Sequence, residues 1–149
     1  MISADNSSSA TIQPAEFWLG IKQFNQQDYY ACHDTLEAIW LEAAPGEQAF
    51  YQGIIQIAVG LYHLTNLNWR GATILLGEGS HRLNVYEEFH GGINVTDLID
   101  QAINWLTALQ KTGPNQVQQL ACLLDIHTEA DNSGIESGEK LTPPQIQLA

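Results

Sequence analysis

Basic side chains are scarce in this chain. Five Lys and Arg stand against 17 Asp and Glu, giving a formal net charge of −12 and a pI near 4.4. A phosphate backbone demands clustered cations, and Lys22, Arg70, Arg82, Lys111 and Lys140 are scattered. General nucleic-acid binding and attachment to anionic membranes are therefore not expected, and the acidity reads as a device for solubility. Cysteine is scarcer still. Cys32 and Cys122 form no C-x-x-C pair, which excludes a thiol redox motif and a cysteine zinc site; both lie among apolar neighbours and read as small core residues. Long apolar runs are absent too. The stretch from Ile54 to Leu64 is too short to span a bilayer, with Gln52, Gln56 and His63 along one flank. The first ten residues lack the basic-then-apolar order of a signal peptide. A reduced, cytoplasmic setting is the expectation, without membrane attachment.

With 149 residues and 44% hydrophobic composition, the chain has enough for one domain with a real core. Residues 1–13 are polar and Ser-rich and read as a flexible tail. Pro14 suits a helix start, and Phe17, Trp18, Ile21 and Phe24 fall at helical spacing between Ala15 and Asn25. Asp28 stands where it would cap a second helix reaching about Ala44, before the Pro45-Gly46 break. A third helix from about Glu47 to Asn66 is apolar around most of its circumference, which places it at the centre of a bundle. Asn68 would cap a fourth, Trp69 to about Phe89, in which Gly77 and Gly79 either weaken the helix or permit close packing. Thr96 would cap a fifth, ended by Gly113-Pro114, and 116–124 suits a short further helix. No segment shows strand periodicity. The expected fold is all-α, with short links favouring antiparallel neighbours. The bundle domain would occupy 14–124. Residues 125–149 would form an acidic linker followed by a tail, extended around Pro143-Pro144, that docks or stays flexible.

The chemistry concentrates on the second and third helices. With about 100° of rotation per residue, Tyr29, His33, Leu36, Glu37 and Trp40 share an arc of about 100°, the width of a core-facing stripe. An ionisable pair in such a stripe needs partners. On the third helix Gln52, Gln56 and His63 lie within about 40° of one another. The tight Pro45-Gly46 turn sets the two helices side by side, so the seams can meet. The expected cluster is His33, Glu37, Gln56 and His63, with Gln52 at its edge and Tyr29, Trp40 and Tyr62 as walls. Two imidazoles and a carboxylate (His33, Glu37, His63) can hold a divalent ion with an open position. His33 and Glu37 can equally form a catalytic general-base pair acting on a small molecule. The same groups can instead close into a structural hydrogen-bond network within a noncatalytic domain that binds a small ligand or a protein. His81, His90 and His127 read as surface residues, Trp18, Trp69 and Trp105 as core, and Arg82 as a surface partner of Glu78 one turn earlier.

These motifs, taken in order, resemble domain-of-unknown-function family 309. Phe24-Asn25, Tyr29-Tyr30 and His33-Asp-Thr-Leu-Glu37-Ala-Ile-Trp40 resemble its opening signature. Tyr51-Gln-Gly-Ile-Ile-Gln-Ile-Ala58, His63, Asn68-Trp-Arg-Gly71-Ala72 and Leu75-Leu76 resemble the remainder. The likeness spans about Phe17 to Tyr86. It implies an up-and-down bundle of about five helices and no established activity. Members carry the loose label of metal-dependent hydrolases, which rests on the same His and Glu. The usual His-Glu opening reads His33-Asp34 here.

Overall fold

The protein is described by a computed structural model that covers residues 12–124 and 141–149. The chain from 1 to 11 and the acidic stretch 125–140 lie outside the described residues, and with them His127 and most of the expected flexible tail and linker. The fold is an all-α, up-and-down bundle: α1 (Ala15–Asn25), α2 (Tyr29–Trp40), α3 (Pro45–Thr65), α4 (Trp69–Leu83) and α5 (Val95–Thr112), then a short α6 (Val117–Ala121) between two 3-10 turns. Each of the first five helices packs on its sequence neighbour, and α3 lies between α2 and α4. Among the described residues no helix is long and apolar enough to cross a membrane.

Local chemistry explains most boundaries. α2 stops at Trp40 rather than near Ala44 because Ala44 precedes Pro45 and is held extended, at ψ 154°. Pro45 then opens α3, where its missing N–H costs nothing. α1 and α3 end alike. Asp28 N–H donates to the Gln23 carbonyl and Gln27 N–H to that of Phe24; Asn68 N–H donates to His63 and Leu67 N–H to Leu64. Both are Schellman closures, with Gln27 (φ 65°) and Leu67 (φ 61°) in the left-handed position usually given to glycine. Asn68 caps α4 as expected, its Oδ1 accepting from Gly71 N–H at 3.0 Å. Asp28 occupies the capping position of α2 without a side-chain cap bond, and Asn94 rather than Thr96 caps α5, accepting from Asp97 N–H.

Two expectations need correction. α4 ends at Leu83, not Phe89, and Phe89–His90 pairs with Ile93–Asn94 in a two-stranded antiparallel hairpin. The turn is Gly91-Gly92, with φ +62° and +87°. Positive φ at both central positions is what a tight hairpin needs, so Gly91-Gly92 form a hairpin turn rather than the end of a longer α4. Cys122 is exposed, whereas Cys32 is fully buried. α6 turns Leu120 inward instead, and the 3-10 turn Cys122–Leu124 that follows it buries Leu123 and Leu124.

The core runs the length of α3 through Phe50, Ile54, Ile57, Leu61 and Leu64, and takes in Phe17, Phe24, Leu36, Leu76, Leu83 and Trp105. The contact between α3 and α4 is closest where glycines face each other. A Cβ on Gly79 would stand 2.9 Å from the Gly53 carbonyl oxygen and 2.8 Å from Ile57 Cγ1, while one on Gly77 would meet only Leu106 Cδ2 at 3.6 Å. The segment 141–149 runs extended across the C-terminal end of α1 and the middle of α5, burying Leu141, Pro144 and Ile146.

These contacts assign opposite signs to two substitutions two residues apart. Gly79→Ala should destabilise by about 1–3 kcal/mol, because backbone must move. Gly77→Ala should stabilise by up to about 1 kcal/mol, because helix propensity acts without a clash. Urea unfolding of both variants checks this. The cysteines give a second expectation. Burial holds the Cys32 thiol up at about 12, so brief alkylation of the native protein near pH 8 should label Cys122 and leave Cys32 untouched. Peptide mass mapping reads the outcome.

Candidate functional site

The buried face of α2 is Tyr29, Cys32 and Leu36. Setting Tyr29 at zero on the helix wheel, Cys32 falls at about 300°, Leu36 at about 340°, His33 at about 40° and Glu37 at about 80°. The core stripe is thus centred between Cys32 and Leu36, which puts His33 on its flank and Glu37 beyond it. The side chains are 23% and 54% exposed. Glu37 therefore satisfies its charge at the surface rather than inside the core.

His33 sits between two carboxylates. Its Nε2 lies 3.2 Å from Glu37 Oε2 and its Nδ1 lies 3.1 Å from Asp34 Oδ1. Both carboxylates are acceptors, so a ring that satisfies both carries two N–H groups, whereas a neutral ring satisfies one. Tyr30, exposed and outside the expected cluster, stacks on the His33 ring at 5.6 Å and meets Tyr62 of α3 at 5.3 Å. Trp40 packs against the core with its indole N–H buried and without a hydrogen-bond partner among the described residues. Tyr29 is buried, and desolvation pushes its hydroxyl well above the ordinary tyrosine value.

The polar seam of α3 divides among different partners. Gln56 faces α4: its Oε1 accepts from Arg82 Nε at 3.0 Å and its Nε2 donates to Glu78 Oε1 at 3.4 Å. Arg82 thus reaches Glu78 through Gln56 instead of pairing with it directly. His63 faces the start of α4. Asn68 Oδ1 is committed to Gly71 N–H, which leaves Asn68 Nδ2 to donate to His63 Nδ1 at 3.3 Å. That assignment places the proton of a neutral His63 ring on Nε2. Only a glycine at 71 makes room, since a Cβ there would stand 2.8 Å from His63 Cγ. Gln52 is half-buried on the same stripe. The structure therefore brings His33 and Glu37 together, while Gln56 and His63 hydrogen-bond to residues of α4 and its cap.

A second polar group lies at the other end of α3, and sequence reasoning missed it. His90 Nε2 is 3.1 Å from Glu47 Oε1, and the ring packs 4.6 Å from both Phe50 and Tyr86. It is part-buried, not a free surface residue. Tyr86 donates to the Gly46 carbonyl at 2.7 Å, and Tyr51 donates to Gln13 Oε1 at 2.6 Å. Desolvation raises both tyrosine hydroxyls and the Glu47 carboxylate adds to the rise. Glu47 suits the first turn of α3, where the helix dipole favours an anion. The one local signal was that Glu47 follows Pro45 by two residues; its partner is 43 positions away.

The donor set does not match the metal that the family label implies. His33 and Glu37 are adjacent, but His63 is engaged at Nδ1 by Asn68. Among the described residues no group of three or more His, Cys, Asp or Glu side chains could hold a metal ion.

Comparison with known proteins bears on the same stretch. A family model described as Domain of unknown function (DUF309) matches residues 17–75. An uncharacterised protein of Bacillus subtilis (strain 168), YpuF, is 41% identical over 51 residues, which are 34% of this chain. The aligned part spans 29% of that relative's own length. No solved structure matches. The matched segment includes His33, Glu37, Trp40, Gln56 and His63, and stops short of Glu78, Arg82 and the hairpin. Residues 17–75 of this chain, from α1 into α4, are thus similar to the DUF309 family of unknown function.

Proposed function

We propose that the edge shared by α2 and α3 is a small-ligand site, centred on His33 and Glu37, that takes a cationic group. The observation that carries this reading is the pairing of two exposed tyrosine rings, Tyr30 and Tyr62, with two exposed carboxylates, Asp34 and Glu37, around one half-buried imidazole. Ring faces and carboxylates both favour a cation. The surrounding charge of −12 draws the same sign of ligand. Trp40 and Gln52 lie further along the two helices and suit the apolar and polar ends of such a ligand. Two free cysteines fit a reduced cytoplasmic setting for this role.

Hydrolysis at the same place is the second reading, supported by the His33–Glu37 pair itself. A general base needs a free ring nitrogen aimed at water or substrate. Here both nitrogens face carboxylates, so His33 acts as a base only after Asp34 or Glu37 turns away. Ligand binding asks for no such rearrangement.

Thermal unfolding with tetramethylammonium chloride against equal sodium chloride tests the site. At ten times its dissociation constant, a ligand that binds only the folded state stabilises by about 1.4 kcal/mol, a rise of roughly 4 °C for a chain of this size. The rise should vanish in Glu37→Gln and in Tyr30→Ala. No difference between the two salts would remove the cation reading. A rise with zinc or manganese that is lost in both His33→Gln and His63→Gln would replace it with the metal site.

A further inference from the structure

The segment 141–149 is held the way a peptide ligand is held. Two side-chain amides each grip both backbone groups of one residue. Asn25 Oδ1 accepts from Ile146 N–H at 2.6 Å while its Nδ2 donates to the Ile146 carbonyl at 3.1 Å. Gln101 Oε1 accepts from Gln145 N–H at 2.9 Å while its Nε2 donates to the Gln145 carbonyl at 2.8 Å. Asp97 Oδ2 takes the second hydrogen of Gln101 Nε2 at 2.7 Å, which fixes the orientation of that amide. Trp105, fully buried, donates its indole N–H to the Thr142 carbonyl at 2.9 Å. Beyond the clamps the tail adds to the hairpin edge: Asn94 N–H donates to the Gln147 carbonyl and Ala149 N–H to that of Gly92. Backbone contacts read an extended chain regardless of sequence. The buried Leu141, Pro144 and Ile146 supply the sequence preference, as alternate side chains do in strand addition. Pro143 and Pro144 fix the extended shape in advance, which lowers the entropy cost of docking.

We propose that the surface between the C-terminal end of α1 and the middle of α5 is a recognition site for an extended peptide of the pattern Leu-x-Pro-Pro-Gln-Ile. The chain's own terminal segment is its resident ligand, and the same segment of a second copy can replace it. Sixteen residues, 125–140, separate the segment from the last 3-10 turn. The tethered segment therefore competes at high effective concentration. At low protein concentration it occupies its own site, and exchange needs that advantage removed.

A specific protease site placed within 125–140 of the full chain tests this. The folded protein is cut, dialysed, and titrated with a dye-labelled peptide of residues 141–149. The cut protein should keep its helical melting transition, lose its own tail, and bind the labelled peptide saturably. Uncut protein should bind at least tenfold more weakly, because the tether competes. Gln101→Leu should weaken peptide binding by tenfold or more, and an Ile146→Asp peptide should not bind. Three results would overturn the proposal: unfolding of the cut protein, retention of the cut tail against both dialysis and excess peptide, or unchanged affinity in Gln101→Leu. The first two would make the segment a fixed part of the core, and the third would leave the amide clamps without a role in recognition.

Discussion

The approach of α3 to α4 is the constraint on which the rest of the structure depends. Gly53 and Gly79 let the two backbones come within a distance that a single methyl group would forbid, and Gly60 receives the side chain of Leu76 one contact further along. With the helices this close, Leu83 fills the space above Gly53 and Ile57 packs over Gly79. α3 is thereby fixed in rotation as well as position. Its rotation decides which of its residues face α2, which face α4, and which line the edge between them.

That edge is where the polar residues go. An apolar helix at the centre of a bundle has no free face for Gln52, Gln56 and His63, so they sit half-buried along its least covered stripe. Each half-buried group needs a partner to offset lost hydration. Gln56 finds two on α4, and His63 finds the amide that also caps α4. His33 and Glu37, on the flank of α2, satisfy each other and Asp34. The result is three local arrangements along one edge, and the one at His33 is flanked by the exposed tyrosines Tyr30 and Tyr62.

Much of the fold was legible because it rests on local signals. The bounds of α1 follow from Pro14 and the apolar spacing, and Asn68 announced its own capping bond. The position of α3 was legible for a different reason: a helix apolar all round has nowhere to go but the centre. What the sequence withheld depends on rotation or on distance along the chain. Placing Glu37 in the core stripe requires knowing where that stripe is centred; the small Cys32, not the large Trp40, moved the centre by a few tens of degrees, enough to bring Glu37 to the surface. The pairing of His90 with Glu47 and the grip of Asn25 and Gln101 on the tail join residues far apart in sequence. Gly91-Gly92 carried a hairpin signal, but strands of two residues are too short to show a period.

The central claim is that the polar groups of α3 are partitioned among their neighbours rather than pooled in one network. Double-mutant cycles in urea unfolding test it most directly, with Gln56→Leu combined first with Arg82→Met and then with Glu37→Gln. Gln56 hydrogen-bonds to Arg82 and, among the described residues, shares no hydrogen-bond partner with Glu37. The account predicts a coupling energy above about 0.5 kcal/mol for Gln56 with Arg82, and additivity within about 0.3–0.5 kcal/mol for Gln56 with Glu37. A strong coupling between Gln56 and Glu37 would show one continuous network across α2, α3 and α4, and would contradict the account.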